Sequence, residues 1–82
     1  MYELTKPDPI AQEQIAALPD DAARYLAEAF KVLKLAPGNG DLFRPDNPEG
    51  NMRTLKFGGR GMITYIVMEP QREVYIIRVH WI

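Results

Sequence analysis

The sequence predicts an α+β two-layer sandwich, and three observations carry that expectation. Apolar residues recur at helical spacing through the first half of the chain, the apolar period changes to two near residue 50, and clusters of turn residues divide the second half at intervals that suit a β-meander. The predicted order is a short N-terminal strand, a two-helix hairpin and then antiparallel strands, with the helices on one face of the sheet. The 82 residues make one domain, residues 1–82, with no repeat or low-complexity segment.

Each element has a local cause. Tyr2-Glu3-Leu4-Thr5 alternates as a short strand does, and Pro7-Asp8-Pro9 ends it. Asp8 is placed to cap a helix whose first position is Pro9, where a missing N–H costs nothing, and Ala11, Ile15 and Leu18 form its apolar face. Leu18-Pro19-Asp20-Asp21 breaks the chain and restarts it, with Asp20 or Asp21 as the new cap. Ala22, Leu26, Ala29, Phe30 and Leu33 then give a stronger helix over residues 21–35, stopped by Pro37-Gly38-Asn39-Gly40. Residues 38–50 read as a loop with a short extended piece at Leu42-Phe43. Three strands follow at residues 52–57, 62–68 and 74–81, joined by Gly58-Gly59-Arg60-Gly61 and Glu69-Pro70-Gln71-Arg72. The glycine cluster is a hairpin turn, since no helix follows it to complete an anion site.

Composition narrows the chemistry. Without cysteine there are no disulfides, thiolate nucleophiles or cysteine-ligated zinc, and a single histidine, His80, leaves no imidazole partner for a metal. The longest apolar run falls far short of the roughly 20 residues that span a bilayer, and Met1-Tyr2-Glu3-Leu4-Thr5-Lys6-Pro7 lacks the pattern of a signal peptide, so a cytoplasmic protein with no membrane partner is expected. The net charge of −1 conceals an asymmetry. Over residues 1–30 Lys6 and Arg24 stand against Glu3, Asp8, Glu13, Asp20, Asp21 and Glu28, whereas over residues 51–82 Arg53, Lys56, Arg60, Arg72 and Arg78 stand against Glu69 and Glu73. Such polarity can offer a basic face to RNA or to an acidic partner.

Alternation assigns the faces. In the last strand Tyr75, Ile77, Val79 and Trp81 are expected against the helices, and Val74, Ile76, Arg78 and His80 on the uncovered side. In the first strand of the meander Leu55 and Phe57 turn inward and Thr54 and Lys56 outward, with Arg53 on the inner side at the strand's end, where a long side chain can reach water. The middle strand is apolar on both faces, so its outer set is either Met62, Thr64, Ile66 and Met68 or Ile63, Tyr65 and Val67. Lys56, Arg78 and His80 on one face would suit phosphodiester chemistry, because cations stabilise a developing phosphorane and a positioned imidazole moves protons.

The chain resembles the RelE/ParE superfamily of bacterial toxins almost end to end. The residues that carry the resemblance are Tyr2-Glu3-Leu4-Thr5, Ala17-Leu18-Pro19-Asp20-Asp21-Ala22 and Leu35-Ala36-Pro37 in the front half, and Met52-Arg53-Thr54-Leu55-Lys56-Phe57, Ile63-Thr64-Tyr65-Ile66-Val67 and Val74-Tyr75-Ile76-Ile77-Arg78-Val79-His80-Trp81 in the sheet. The resemblance implies a RelE-like toxin fold neutralised by a cognate antitoxin, with no cofactor and no metal. In the RelE and YoeB branches it also implies an endoribonuclease, an mRNA interferase that cuts messages on the ribosome. Arg78-Val79-His80-Trp81 is closest to the YoeB-like branch, which implies His80 as the proton-transfer group, Arg78 as its catalytic neighbour, and Lys56, Arg53 and Arg60 as phosphate contacts. Three positions before Tyr65, where the catalytic branches carry an arginine, this chain has Met62, and Arg60 is the nearest cation. The alternative is a non-enzymatic relative, either a ParE-like gyrase-inhibiting toxin or a domesticated protein-binding module. Ribosome and message are partners on the first reading only, and a homodimer stays open on both.

Overall fold

The computed structural model describes residues 1–43, 46 and 50–82, so five positions of the loop expected at 38–50 lie outside the described residues. The chain forms β1 (Glu3–Leu4), α1 (Pro9–Ala16), α2 (Asp20–Leu35), a single 3-10 turn (Pro37–Asn39), β2 (Asp41–Leu42), β3 (Met52–Phe57), β4 (Gly61–Met68) and β5 (Glu73–Trp81). This is the α+β arrangement expected, with the short extended piece after Gly40 realised as β2, one residue earlier than read. The strands make one five-stranded sheet in the order β1-β5-β4-β3-β2. β1 runs parallel to β5, and every other pair is antiparallel.

Asp8 caps α1 as its side-chain oxygen accepts from the Ile10 N–H at 3.0 Å. α2 begins differently from the expectation. Its N-cap is Pro19, which offers no side-chain bond, and Asp20 and Asp21 instead occupy the first turn. There their carboxylates favour the positive end of the helix dipole without bonding a backbone donor. In the β3–β4 hairpin Gly58 and Gly59 take φ values of 62° and 75°, a region that strains any residue with a Cβ.

The core lies between the helices and one face of the sheet. Ala11, Leu26, Ala29 and Leu33 meet Phe57, Ile63, Tyr65, Val67, Val74, Ile76 and Val79, with Leu4, Ile15, Leu18, Phe30, Leu55 and Trp81 packed around them. Burial of Ile63, Tyr65 and Val67 decides the orientation that periodicity left open in β4, so Met62, Thr64, Ile66 and Met68 are its outer set. The expected faces of β5 are corrected for half of their residues. Thr64 stands opposite Arg78 but Tyr65 stands opposite Ile76, so Ile77 is an extra residue in a β-bulge. Strict alternation fails across a bulge. Val74 and Ile76 therefore join Val79 and Trp81 on the helix side, while Tyr75 and Ile77 lie with Arg78 and His80 on the uncovered side.

Tyr65 anchors the far end of the sheet. It is fully buried, and its hydroxyl donates to the Pro37 carbonyl beyond α2. Burial is the main reason its phenol is pushed above the ordinary 10.0. At the other end the β4–β5 turn is tied to the N-terminus: the Tyr2 hydroxyl donates to Glu69 at 2.8 Å, and the Arg72 guanidinium lies 4.8 Å from the centre of the Tyr2 ring.

Candidate functional site

The uncovered face of β3, β4 and β5 is ordered in cross-strand rows. One row is Lys56–Met62–His80, the next is Thr54–Thr64–Arg78, and a third is Met52–Ile66–Tyr75. Adjacent strands are about 4.8 Å apart, so Lys56 and His80 flank Met62 at a backbone separation of roughly 10 Å. Met62 between them is 38% exposed. Lys56, Gly59, Arg60, Gly61, Met62, His80 and Ile82 enclose an apolar-floored depression of about 380 Å³. Lys56 and His80 are exposed, and among the described residues neither side chain has a hydrogen-bond or ion-pair partner. They are free to meet a ligand.

The β3–β4 turn brings in Arg60. Its guanidinium lies 5.4 Å from the centre of the Trp81 ring, and its carbonyl accepts from the Ile82 N–H at 3.1 Å. Trp81 in turn packs on Phe57 with 5.5 Å between ring centres, so the indole is a buttress at the end of the core and holds Arg60 by a cation–π contact. Arg60, two positions from Met62 in sequence, thus borders the same depression as Lys56 and His80.

Arg78 and Arg53 are placed differently from those three. Arg78 shares the outer face with His80, but its Nη1 is bound by the Asp8 carboxylate at 3.0 Å and by the Ile77 carbonyl at 2.7 Å. Asp8 also accepts from the Tyr75 hydroxyl at 3.3 Å. The Tyr75 phenol is raised above its ordinary value by desolvation first and by the Asp8 charge second. Asp8 therefore caps α1 and holds Arg78 at once. Arg53 stands opposite Tyr65 on the helix side of the sheet and donates to the Gly40 carbonyl at 3.0 Å. It braces the β2 end of the fold, away from His80.

Gln14 is a residue that the sequence reading passed over. Its Oε1 accepts from the Val79 N–H at 2.7 Å, closing a β5 edge that the two-residue β1 does not cover. An isolated glutamine on a helix gives no sequence signal for a bond across to a strand 65 residues away. Nor could spacing reveal the second role of Asp8, since its cap is local and its partner Arg78 is distant. Among the described residues no three His, Asp or Glu side chains gather into a metal cluster, and no helix is long and apolar enough to cross a membrane.

With this geometry defined, the chain can be set beside known structures. The E. coli RelBE toxin–antitoxin complex contains a chain that superimposes with a TM-score of 0.80 at 16% identity, covering 100% of this chain and 98% of that one. The isolated E. coli RelE toxin gives 0.79 at 18% identity, over 99% of this chain and 84% of that one. The RelBE2 toxin–antitoxin complex of Mycobacterium tuberculosis gives 0.73 at 20%, over 99% and 98%. No protein-family model matches the sequence, and no curated protein matches it. The chain has the α+β fold of RelE toxins.

Proposed function

We propose that this chain is the toxin of a type II toxin–antitoxin pair and that it cleaves messenger RNA on the ribosome. The observation that carries the reading is the convergence of His80, Lys56 and Arg60 on one open depression of a RelE-like sheet. Similarity to chains solved within RelBE toxin–antitoxin complexes supports the antitoxin partnership. An RNA backbone laid across the uncovered face would place a phosphate between Lys56 and Arg60, whose charges stabilise the oxygens as the phosphorane forms. His80 would then move the proton that the departing or attacking oxygen exchanges. Arg78 lies one row away and would add its charge where a phosphate outcompetes Asp8 for the guanidinium. No metal or cofactor enters this scheme.

The antitoxin would present carboxylates to Lys56, Arg60 and Arg78. Truncating one member of a buried, hydrogen-bonded pair across that contact would cost roughly 2–5 kcal/mol. A second reading, a toxin that acts by binding a protein such as gyrase, is favoured by one feature. Met62 sits at the centre of the row where the resemblance leads one to expect an arginine. Expression with and without the product of the neighbouring gene tests toxicity, and mapping of message ends during arrest separates the two readings. Growth arrest that the neighbour relieves, with new message ends, is expected. Arrest with intact messages would end the nuclease reading.

A further inference from the structure

His80 borders a second cavity. Gln14, Ala17, Leu18, Pro19, Val79, His80 and Trp81 enclose an open cleft of about 270 Å³ at the edge of β5, which shares only His80 with the Lys56–Arg60 depression. Its side walls come from the α1–α2 junction, where Leu18-Pro19 is apolar, and from Trp81. Its polar group is the Gln14 amide. Because the Val79 N–H must donate to an oxygen, Oε1 faces the strand and the Nε2 amino group faces away from it. That amino group has no protein partner among the described residues. The cleft thus combines apolar walls with an amide amino group turned away from the strand.

We propose that this edge cleft holds one nucleobase of the RNA whose phosphate lies in the depression that shares His80, and that it prefers guanine to adenine. The inference rests on the nuclease reading for the identity of the polymer. Single-stranded RNA is recognised by splaying a base out of the stack, packing it on apolar and aromatic surfaces and hydrogen-bonding its edge. The volume is below that of a pocket for a drug-sized ligand and suits a single flat ring system. A glutamine free at both ends would bind the donor–acceptor edge of adenine, N6 and N7, in bidentate fashion. Here Oε1 is turned to the Val79 N–H, so the amide presents its two Nε2 hydrogens on the side away from the strand. Guanine presents two adjacent acceptors, O6 and N7, whereas adenine sets its N6 amino group against the Gln14 amino group. Two purines of equal size are therefore separated by one hydrogen-bonding group. Gln14 is the specificity residue.

The chain has one tryptophan, Trp81, and it lines the cleft, so binding can be read from intrinsic fluorescence. Guanosine 3′-monophosphate and adenosine 3′-monophosphate are titrated into the intact protein and their half-saturation concentrations compared, since quenching amplitudes differ between bases for reasons unrelated to affinity. Guanosine 3′-monophosphate should half-saturate at about five- to tenfold lower concentration, the scale of one hydrogen bond. Gln14→Glu keeps an acceptor for Val79 and removes both donors, so it should erase or invert the preference. Ala17→Tyr at the exposed end of α1 fills the cleft and should abolish saturable quenching by both nucleotides without touching the Gln14 bond. Equal half-saturation in the wild type, a preference retained by Gln14→Glu, or saturable binding retained by Ala17→Tyr would each overturn the proposal. A purine preference without message cleavage would leave the base site standing and end the nuclease reading, and cleavage without the preference would do the reverse.

Discussion

The Asp8 carboxylate accepts from Ile10, Arg78 and Tyr75, and different substitutions can separate its cap from its ion pair. It caps α1 through Ile10 at 3.0 Å and pairs with Arg78 at 3.0 Å. The two side chains of the pair are 36% and 26% exposed, so solvent screens their attraction, and it is expected to contribute only about 0.5 kcal/mol. The cap contributes about 1 kcal/mol. Asp8→Ala removes both, about 1.5 kcal/mol, which in a chain of this size lowers Tm by about 6–12 °C. Asp8→Asn keeps the cap, because asparagine accepts from the same N–H, and loses only the pair, a drop of about 2–4 °C. Thermal melting followed by circular dichroism measures both. The Asp8→Ala/Arg78→Ala double variant closes the cycle, with a coupling near 0.5 kcal/mol expected. Asp8→Asn also releases the Arg78 guanidinium to the outer face, so affinity for a short single-stranded RNA in low salt should rise. Equal melting temperatures for Asp8→Ala and Asp8→Asn would refute the division of labour, and unchanged RNA affinity in Asp8→Asn would refute the idea that Asp8 withholds Arg78.

Met62→Arg would insert a cation between Lys56 and His80 at an exposed position, so message cleavage should rise by about tenfold or more, the scale of one transition-state cation, as read by primer extension on a defined message. Gly40→Ala would drive a methyl group into the Tyr65 hydroxyl and set it 2.6 Å from the Thr54 carbonyl, and should destabilise by about 1–3 kcal/mol in urea titration. The raised Tyr65 phenol makes stability pH-dependent in one direction. The unfolded chain releases this proton as pH rises through 10.0 and the folded chain keeps it, so stability is level below that pH and falls above it. Tyr65→Phe should lose about 1 kcal/mol at neutral pH, with the Pro37 bond, and show a shallower alkaline decline in denaturant titrations at stepped pH.

Local causes made most of the fold legible in the sequence. Asp8-Pro9 set the start of α1, the Ala22-Leu26-Ala29-Leu33 stripe set the buried face of α2, and the glycine and proline clusters set both turns of the meander. The faces of β5 were legible only from Arg78 onward, because the unpaired Ile77 inverts every assignment before it and a β-branched residue in an apolar run does not announce a bulge. The cap of α2 was misread for a related reason. Two adjacent aspartates before an apolar stripe suit a cap and a first turn equally, and Pro19 took the cap position. At the candidate site His80 and Lys56 were legible by alternation, since both lie in stretches free of bulges. The ties of Arg78 to Asp8, Arg53 to Gly40 and Gln14 to Val79 were not, because each joins residues far apart in sequence that only the tertiary fold brings within bonding distance.

The proton-transfer role proposed for His80 is the centre of the functional account, and ribosome-programmed cleavage of a defined message tests it most directly. His80 is exposed, lies outside the buried core and has no hydrogen-bond partner among the described residues, so His80→Ala should fold and melt like the wild type. Loss of a general acid or base slows a reaction by about 10²–10⁴-fold, so the variant should cut the message at no more than about a hundredth of the wild-type rate. Equal cleavage by wild type and His80→Ala would contradict the mechanism, and absence of cleavage by both would assign the fold to a protein-binding toxin instead.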